Sequence, residues 1–452
     1  MSYLLDVSNY EKKDVRNLQR ALTFVHKNFF GPDLIIQAYL TQKNKILVPY
    51  CIGRKLDNFR EIEPVKNNAE PWKFTGELRP DQVEIRNIAL PILQSKGSIS
   101  LFIQTGQGKS AMSTEFSSSL IGSVGGRVLV LMSRITLEQS WKETFERFTN
   151  GKVGVVPSNS SEFDYRSYNL LVCRISRIRP EFETEIDVLI LDEIHLMETQ
   201  LYLNQIMRIK PRYVIALTAT EKKDNGMEKI GFAIAGGNKQ QIVIRPNKEY
   251  QVFTIETGFG THSLPDTDEN DLPDDPDSTR VKLESLISEL KERNDLIVEF
   301  LEALSITKFK AIVFADRKNQ INYIYQQLKE KNIDVEYLCG TKNKMNNAKI
   351  TICGIKKAGT GMDDAMISIN WDGERFNLGV FIISTYKIEQ AVGRLRVEIP
   401  HLVHLIDRDN KRWFRQTWLD NERFYRDHGG IIHRIGDNTW DEVRHHLLGL
   451  KI

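Results

Sequence analysis

The chain has 452 residues, 41% of them hydrophobic, and its 62 basic and 60 acidic side chains leave a formal charge of only +2. That length accommodates about three domains, each able to bury a core of its own, and no apolar run approaches the ~20 residues that span a bilayer as a helix. The charge balance neither demands nor excludes nucleic acid, because a basic groove can coexist with an acidic surface elsewhere.

The N-terminus, MSYLLDVSNYEKKD, carries acidic residues and lacks an apolar core segment, so no secretory signal is expected. Residues 1–75 combine a helical pattern (VRNLQRALTFVHKNF) with short apolar runs (LIIQAYL, KILVPYCIG) and are expected to form an accessory α+β module. From 76 to 245, the runs SISLFIQ, RVLVLMS, NLLVCRI, DVLILDE and YVIALTAT alternate with helical patterns. Short, nearly uninterrupted apolar runs suit strands buried on both faces of a parallel sheet, and the helices between them make β-α-β units. Residues 246–280 read as a linker, with the acidic stretch DTDENDLPDDPD at 266–277 having almost nothing to bury. A helical segment, TRVKLESLISELKERNDLIVEFLEAL, leads into a second series over 281–408: KAIVFAD, DVEYLCG, KITICGI, LGVFIIS and LVHLID. Residues 409–452 read as a helical, aromatic-rich tail. Cys51, Cys173, Cys339 and Cys353 form no C-x-x-C pair, and three lie in apolar runs, so buried reduced thiols and a reducing, intracellular setting are expected.

Chemistry concentrates where these runs end, which is where an open parallel sheet places its binding residues. Thr105-Gly106-Gln107-Gly108-Lys109-Ser110 follows a strand and precedes a helical run. Glycines there let backbone N–H groups approach phosphate oxygens, and the helix N-terminus adds positive dipole. Lys109 would reach the β/γ-phosphates and Ser110 would ligate magnesium. Ile103 stands where the pattern G-x-x-x-x-G-K-[ST] has its first glycine. Asp192-Glu193 ends a very apolar strand, with Asp192 suited to the magnesium shell and Glu193 to polarising the attacking water. His195 can bridge this pair to Thr218 and Thr220, which end the next strand. In the second series, KKAGTGMDD (356–364) follows a strand, and IEQAVGRLRV (388–397) presents Gln390, Gly393, Arg394 and Arg396 on an expected helix. An arginine facing a phosphate loop across a cleft can act as a finger, a device worth ~10³–10⁵ in rate.

The ordered set LRPDQ (78–82), TGQGKS, SRITLEQSW (133–141), DEIH (192–195), TAT, FADRKNQ (314–320), GTGMDD and QAVGRLR resembles superfamily-2 helicases and translocases of the DExH type, over about residues 76–408. KILVPYCIG, ETGF (256–259), ERNDLIVEFL (292–301), IKKAGTGMD and the NERFYRDHGG tail are most similar to the branch in large DNA viruses and phages, which includes transcript-release helicases. The resemblance implies two tandem RecA-like parallel-sheet domains that bind ATP and Mg2+, close on ATP and are released by hydrolysis. It implies that Gln82 reads the adenine edge, that Thr105 to Ser110 hold the triphosphate, that Thr218 and Thr220 couple hydrolysis to motion, and that Gly361 and Asp363 sit near the ribose. Arg394 matches the first arginine of the family's sixth motif. Val397 occupies the place of the last one, and Arg396 lies one position early, about 100° away on a helix. Nucleic acid, with DNA ahead of RNA, would run over Arg134, Gln139, Arg317, Lys318, Lys356 and Thr360, held mainly through its phosphates. The implied protein is a monomer in the host cytoplasm or virion, working with transcription or recombination machinery. Its job stays open between unwinding duplex DNA, displacing transcripts or proteins without processive unwinding, and a scaffold that binds nucleotide without turnover.

Overall fold

Uninterrupted apolar runs decide this architecture, because a strand with no polar face has to be covered on both sides. The computed structural model describes residues 2–26, 33–65, 70–103, 107–158, 163–197, 199–218, 228–237, 240–244, 249–260, 263–264, 276–342, 344–358, 364–383, 388–395, 397–407 and 412–435. The chain divides into two units, Met1–Ile244 and Arg245–Ile452.

The first unit begins with a small module: β1 (Ser2–Asp6), α1 (Lys12–Ala21), β2 (Thr23–His26), β3 (Leu34–Gln37), β4 (Leu40–Gln42), β5 (Lys45–Pro49) and α2 (Tyr50–Leu56). β1, β5 and β4 form an antiparallel sheet, and β2 pairs with β3. The helical pattern expected over VRNLQRALTFVHKNF stops at Ala21, where the strand-forming Thr-Phe-Val begins β2. The rest of the unit comprises α3 (Pro80–Lys96), β6 (Ser98–Ile103), α4 (Lys109–Ile121), β7 (Val128–Met132), α5 (Thr136–Phe148), β8 (Val153–Val155), β9 (Leu170–Arg174), β10 (Val188–Asp192), α6 (Gln200–Ile206), β11 (Tyr213–Thr218), α7 (Glu228–Ala235) and β12 (Gln241–Ile244). Its seven strands run β12-β6-β11-β10-β7-β9-β8, all parallel. Alternation along the strands feeds two cores. Leu129, Leu131, Leu189, Leu191 and Ala216 enter one, while Val128, Val130, Val188, Ile190 and Ile215 enter the other. Each valine, leucine or isoleucine among them contributes about 1.5–3 kcal/mol on full burial. The small module is tied to this body through Ser2 N–H to Ile209 C=O (2.9 Å), a two-way contact between Gln37 and Gln200 (2.7 and 3.1 Å), and Cys51 Sγ to Gln240 Oε1 (3.2 Å).

The second unit holds β13 (Gln251–Glu256), α8 (Pro276–Glu289), α9 (Lys291–Ser305), β14 (Ala311–Ala315), α10 (Lys318–Glu330), β15 (Val335–Leu338), β16 (Ile350–Gly354), α11 (Ile355–Ala358), α12 (Asp364–Ile367), β17 (Leu378–Phe381), α13 (Ile388–Val392), β18 (His401–Ile406), α14 (Arg412–Asp427) and β19 (Ile431–Ile435). Its sheet is also seven-stranded and parallel, in the order β15-β16-β14-β17-β18-β13-β19. The architecture is two tandem RecA-like α/β folds.

Several expectations need correction. Residues Gln251–Glu256, read as linker, form a buried strand between β18 and β19, because Val252, Phe253 and Ile255 supply a core face. The tail is not purely helical, since β19 closes the edge beside β13. The long helical segment before β14 breaks at Leu290, whose backbone turns extended (φ −61°, ψ 115°), and Asn294 Nδ2 donates to Ser288 C=O at 2.9 Å across the break. The helix expected over 388–397 ends at Val392. Gly393 and Arg394 lie in the turn after it, and Arg396 lies outside the described residues. The acidic stretch lies mostly outside the described residues. All four cysteines are buried and free.

Candidate active site

Sheet order brings together residues far apart in sequence. β11 lies between β6 and β10, with Thr218 opposite Phe102 and Asp192 opposite Leu217. The phosphate-loop strand, the acid-bearing strand and the Thr218 strand therefore end side by side.

At the loop, Gly108 adopts φ +84°, a left-handed conformation that glycine enters without steric cost. A Cβ there would lie 2.2 Å from Gln82 Nε2. Lys109 opens α4, and its Nζ lies 3.3 Å from Glu193 Oε1. Glu193 itself adopts φ 55°, ψ 54°, strained for a non-glycine residue. That kink turns the chain out of β10 into a short helical turn, and Glu193 Oε2 meets His195 Nδ1 at 3.3 Å. The same imidazole nitrogen lies 2.9 Å from Thr218 Oγ1. The result is a continuous polar chain, Lys109–Glu193–His195–Thr218, along three strand ends.

Asp192 is buried beside this chain, at 7% exposure. Trp141 of α5 donates its indole N–H to Asp192 Oδ2 at 2.7 Å. Burial, then the neighbouring Glu193 charge, holds the Asp192 carboxyl above the usual range. Two adjacent carboxylates sharing one lysine leave a deficit of positive charge, which a divalent cation held by Asp192 and the Ser110 hydroxyl fits.

Gln82 lies against the phosphate loop. It is 4% exposed, its Oε1 accepts from Arg79 N–H (3.0 Å), and its Nε2 donates to Gln107 C=O (3.0 Å). Arg79 reaches the same carbonyl at 3.1 Å. In this structure both ends of the Gln82 amide bond to the protein, bracing the phosphate loop.

Among the expected nucleic-acid residues, Arg134 is half-buried after β7, and Gln139 turns its amide along α5 to Glu143 (2.6 Å). Arg317 pairs with Asp316 (3.7 Å) and donates to Val281 C=O (3.1 Å), while Lys318 is exposed at the start of α10. Arg394 is buried at 3% in the second unit. Thr105, Gly106, Thr220, Thr360, Gly361, Asp363 and Arg396 lie outside the described residues, as do the side chains of Lys356 and Gln390. Trp141, Arg79 and a buried pair in the second unit escaped sequence reading. In that pair Arg293 grips Asp407 through both carboxylate oxygens (2.8 and 2.9 Å) and donates to Ile382 C=O (2.7 Å), with Thr257 Oγ1 on the same carboxylate at 2.6 Å. ERND and ETGF contribute Arg293 and Thr257 to it, which was the available signal.

Known proteins resemble this chain in sequence and in fold. Residues 75–223 match the family described as Type III restriction enzyme, res subunit. The protein designated helicase 161L of Invertebrate iridescent virus 6 is 24% identical, over 96% of this chain and 99% of its own. The chain is similar to superfamily-2 helicases of the type found in large DNA viruses. A second viral relative, designated ATP-dependent RNA helicase L396 of Acanthamoeba polyphaga mimivirus, is 22% identical over 93% of the chain and 83% of its own. The fold is shared with S. cerevisiae Dbp5, solved bound to RNA and ADP BeF3, at a TM-score of 0.54 and 15% identity, covering 82% of this chain and 97% of that one.

Proposed function

We propose that this protein is a nucleic-acid-dependent ATPase that translocates on duplex DNA and unwinds it, with residues 1–75 as an accessory module. The observation that carries the reading is the polar chain from Lys109 through Glu193 and His195 to Thr218. A triphosphate in the loop gives Lys109 a stronger partner than Glu193, since three phosphates outweigh one carboxylate. Glu193 is then released to orient and polarise water as general base. Asp192 and Ser110 would hold magnesium, which would supply positive charge to offset the negative charge of the phosphates. The change at Glu193 passes to β11 through the imidazole, which makes His195 and Thr218 the coupling residues, with Thr220 beyond. On the second unit, Arg394 supplies charge to the γ-phosphate, with Gln390 and Arg396 in support and Gly361 and Asp363 near the ribose. Arg134, Gln139, Arg317, Lys318, Lys356 and Thr360 hold nucleic acid.

RNA is the second reading, favoured by the mimivirus relative designated an RNA helicase and by Dbp5 solved with RNA. ATP hydrolysis measured with single-stranded DNA, duplex DNA, branched DNA and RNA tests both. Stimulation by DNA with strand displacement supports the first, and stimulation by RNA alone transfers the assignment to the second. ATP binding without phosphate release on any of them would leave a scaffold.

A further inference from the structure

The accessory module carries a feature that the ATPase reading does not use. Helix α1, Lys12–Ala21, buries none of its residues. At 100° per residue, Lys12, Arg16, Arg20 and Lys13 fall at about 0°, 40°, 80° and 100°, followed by Asn17 at about 140°. All five are exposed. The two nearby acids fall outside this arc, with Asp14 at about 200° and Glu11 at about 260°. The inward face is set by Leu18, which packs on the cluster of Leu5, Leu22, Ile46 and Val48, at about 240° and thus opposite the cations.

None of the four cations is paired with a carboxylate among the described residues. Some cations elsewhere in the chain are neutralised locally, as in Arg86–Glu115 (2.6 Å), Arg174–Glu138 (2.8 Å) and Lys310–Asp372 (3.1 Å). A carboxylate-free arc is self-repelling and complements a polyanion. Lys12, Arg16 and Arg20 climb one turn apart over about 12 Å, at 1.5 Å per residue. A nucleic-acid strand advances 3.4 Å per phosphate along the helix axis, so the arc faces about three to four phosphates. The module that bears it is fastened to the first RecA-like body through Ser2, Gln37 and Cys51. A strand held there is held at a fixed position relative to the phosphate loop.

We propose that the basic face of α1 grips the sugar-phosphate backbone of the nucleic acid on which this protein acts, an inference that rests on the functional reading above. The test compares wild-type protein with a Lys12→Ala/Arg16→Ala/Arg20→Ala variant, alanine being the best helix former. Affinity for fluorescent duplex DNA, single-stranded DNA and single-stranded RNA is measured from low to moderate salt. Each lost phosphate contact removes ~0.9 from the salt slope on duplex and ~0.7 on single strands. The expected result is a slope shallower by about 2–3 with weaker binding, while ATPase activity without nucleic acid is unchanged. A folded variant with the wild-type slope and affinity would overturn the proposal. So would a variant that keeps nucleic-acid binding and loses binding to phosphatidylserine vesicles, which would assign the face to membranes. Wild-type protein that hydrolyses ATP yet binds no nucleic acid would overturn the functional reading, and the grip with it.

Discussion

Trp141→Phe isolates the support behind Asp192, the residue proposed to hold magnesium. The indole N–H of Trp141 lies 2.7 Å from Asp192 Oδ2, and both residues are buried, at 1% and 7% exposure. Phenylalanine keeps an aromatic ring against Phe145, whose centroid is 5.5 Å away, and removes the donor. A hydrogen bond to an ionised group contributes about 1.5–3 kcal/mol, which at about 1.4 kcal/mol per decade is roughly 10- to 150-fold. Loss of the partner behind a metal ligand typically costs about 10–100-fold in metal affinity or activity. Trp141→Phe should therefore raise the magnesium concentration for half-maximal ATP hydrolysis, or lower kcat/KM, by about 10–100-fold, with the far-UV spectrum unchanged. Phe145→Leu disturbs the same packing without touching Asp192, so it should lower stability and leave the magnesium requirement in place. A folded Trp141→Phe protein with wild-type magnesium dependence and turnover would refute the role given to the indole.

Three further expectations follow from the packing. Gly108→Ala forces a Cβ to 2.2 Å from Gln82 Nε2, so part of its effect on nucleotide affinity should vanish in a Gln82→Ala background; strict additivity, within about 0.5 kcal/mol, would contradict the brace. Arg293→Gln should destabilise the second unit by about 3–5 kcal/mol, since it leaves Asp407 a buried, uncompensated charge, and urea denaturation measures it. His404 is buried, stacked on Phe381 at 4.4 Å and set 2.7 Å from the Tyr425 hydroxyl, and burial lowers its pKa to about 3. The unfolded chain then binds one more proton between about pH 6.5 and 3, so this stability is complete above pH 6.5 and is lost on acidification by roughly 1.4 kcal/mol per pH unit. His404→Phe should flatten the fall in denaturation midpoint over that window, and an unchanged slope would argue against the buried neutral imidazole.

Both parallel sheets were legible because their central strands are apolar on both faces, as in VLVLM and AIVFA. What sequence hid depended on contacts made elsewhere. QVFTIE is short and is separated by nine residues from an acidic stretch, and only its place between β18 and β19 makes it a core strand. The break at Leu290 has no glycine or proline to announce it; it is held by Asn294 reaching back to Ser288. The phosphate loop and acid pair stand out because their chemistry is written in adjacent residues. Trp141 and Asp192 are 51 positions apart, and nothing local in α5 says that its tryptophan meets the end of β10. Gln82 was identified by its place in the motif, but its hydrogen bonds are fixed by the loop that it braces.

The most direct test of the ATPase assignment is phosphate release by Glu193→Gln with ATP, magnesium and nucleic acid. This account predicts retained ATP binding with turnover lowered by about 10²–10⁴, the usual contribution of a general base. Release at the wild-type rate from a folded Glu193→Gln protein would contradict it.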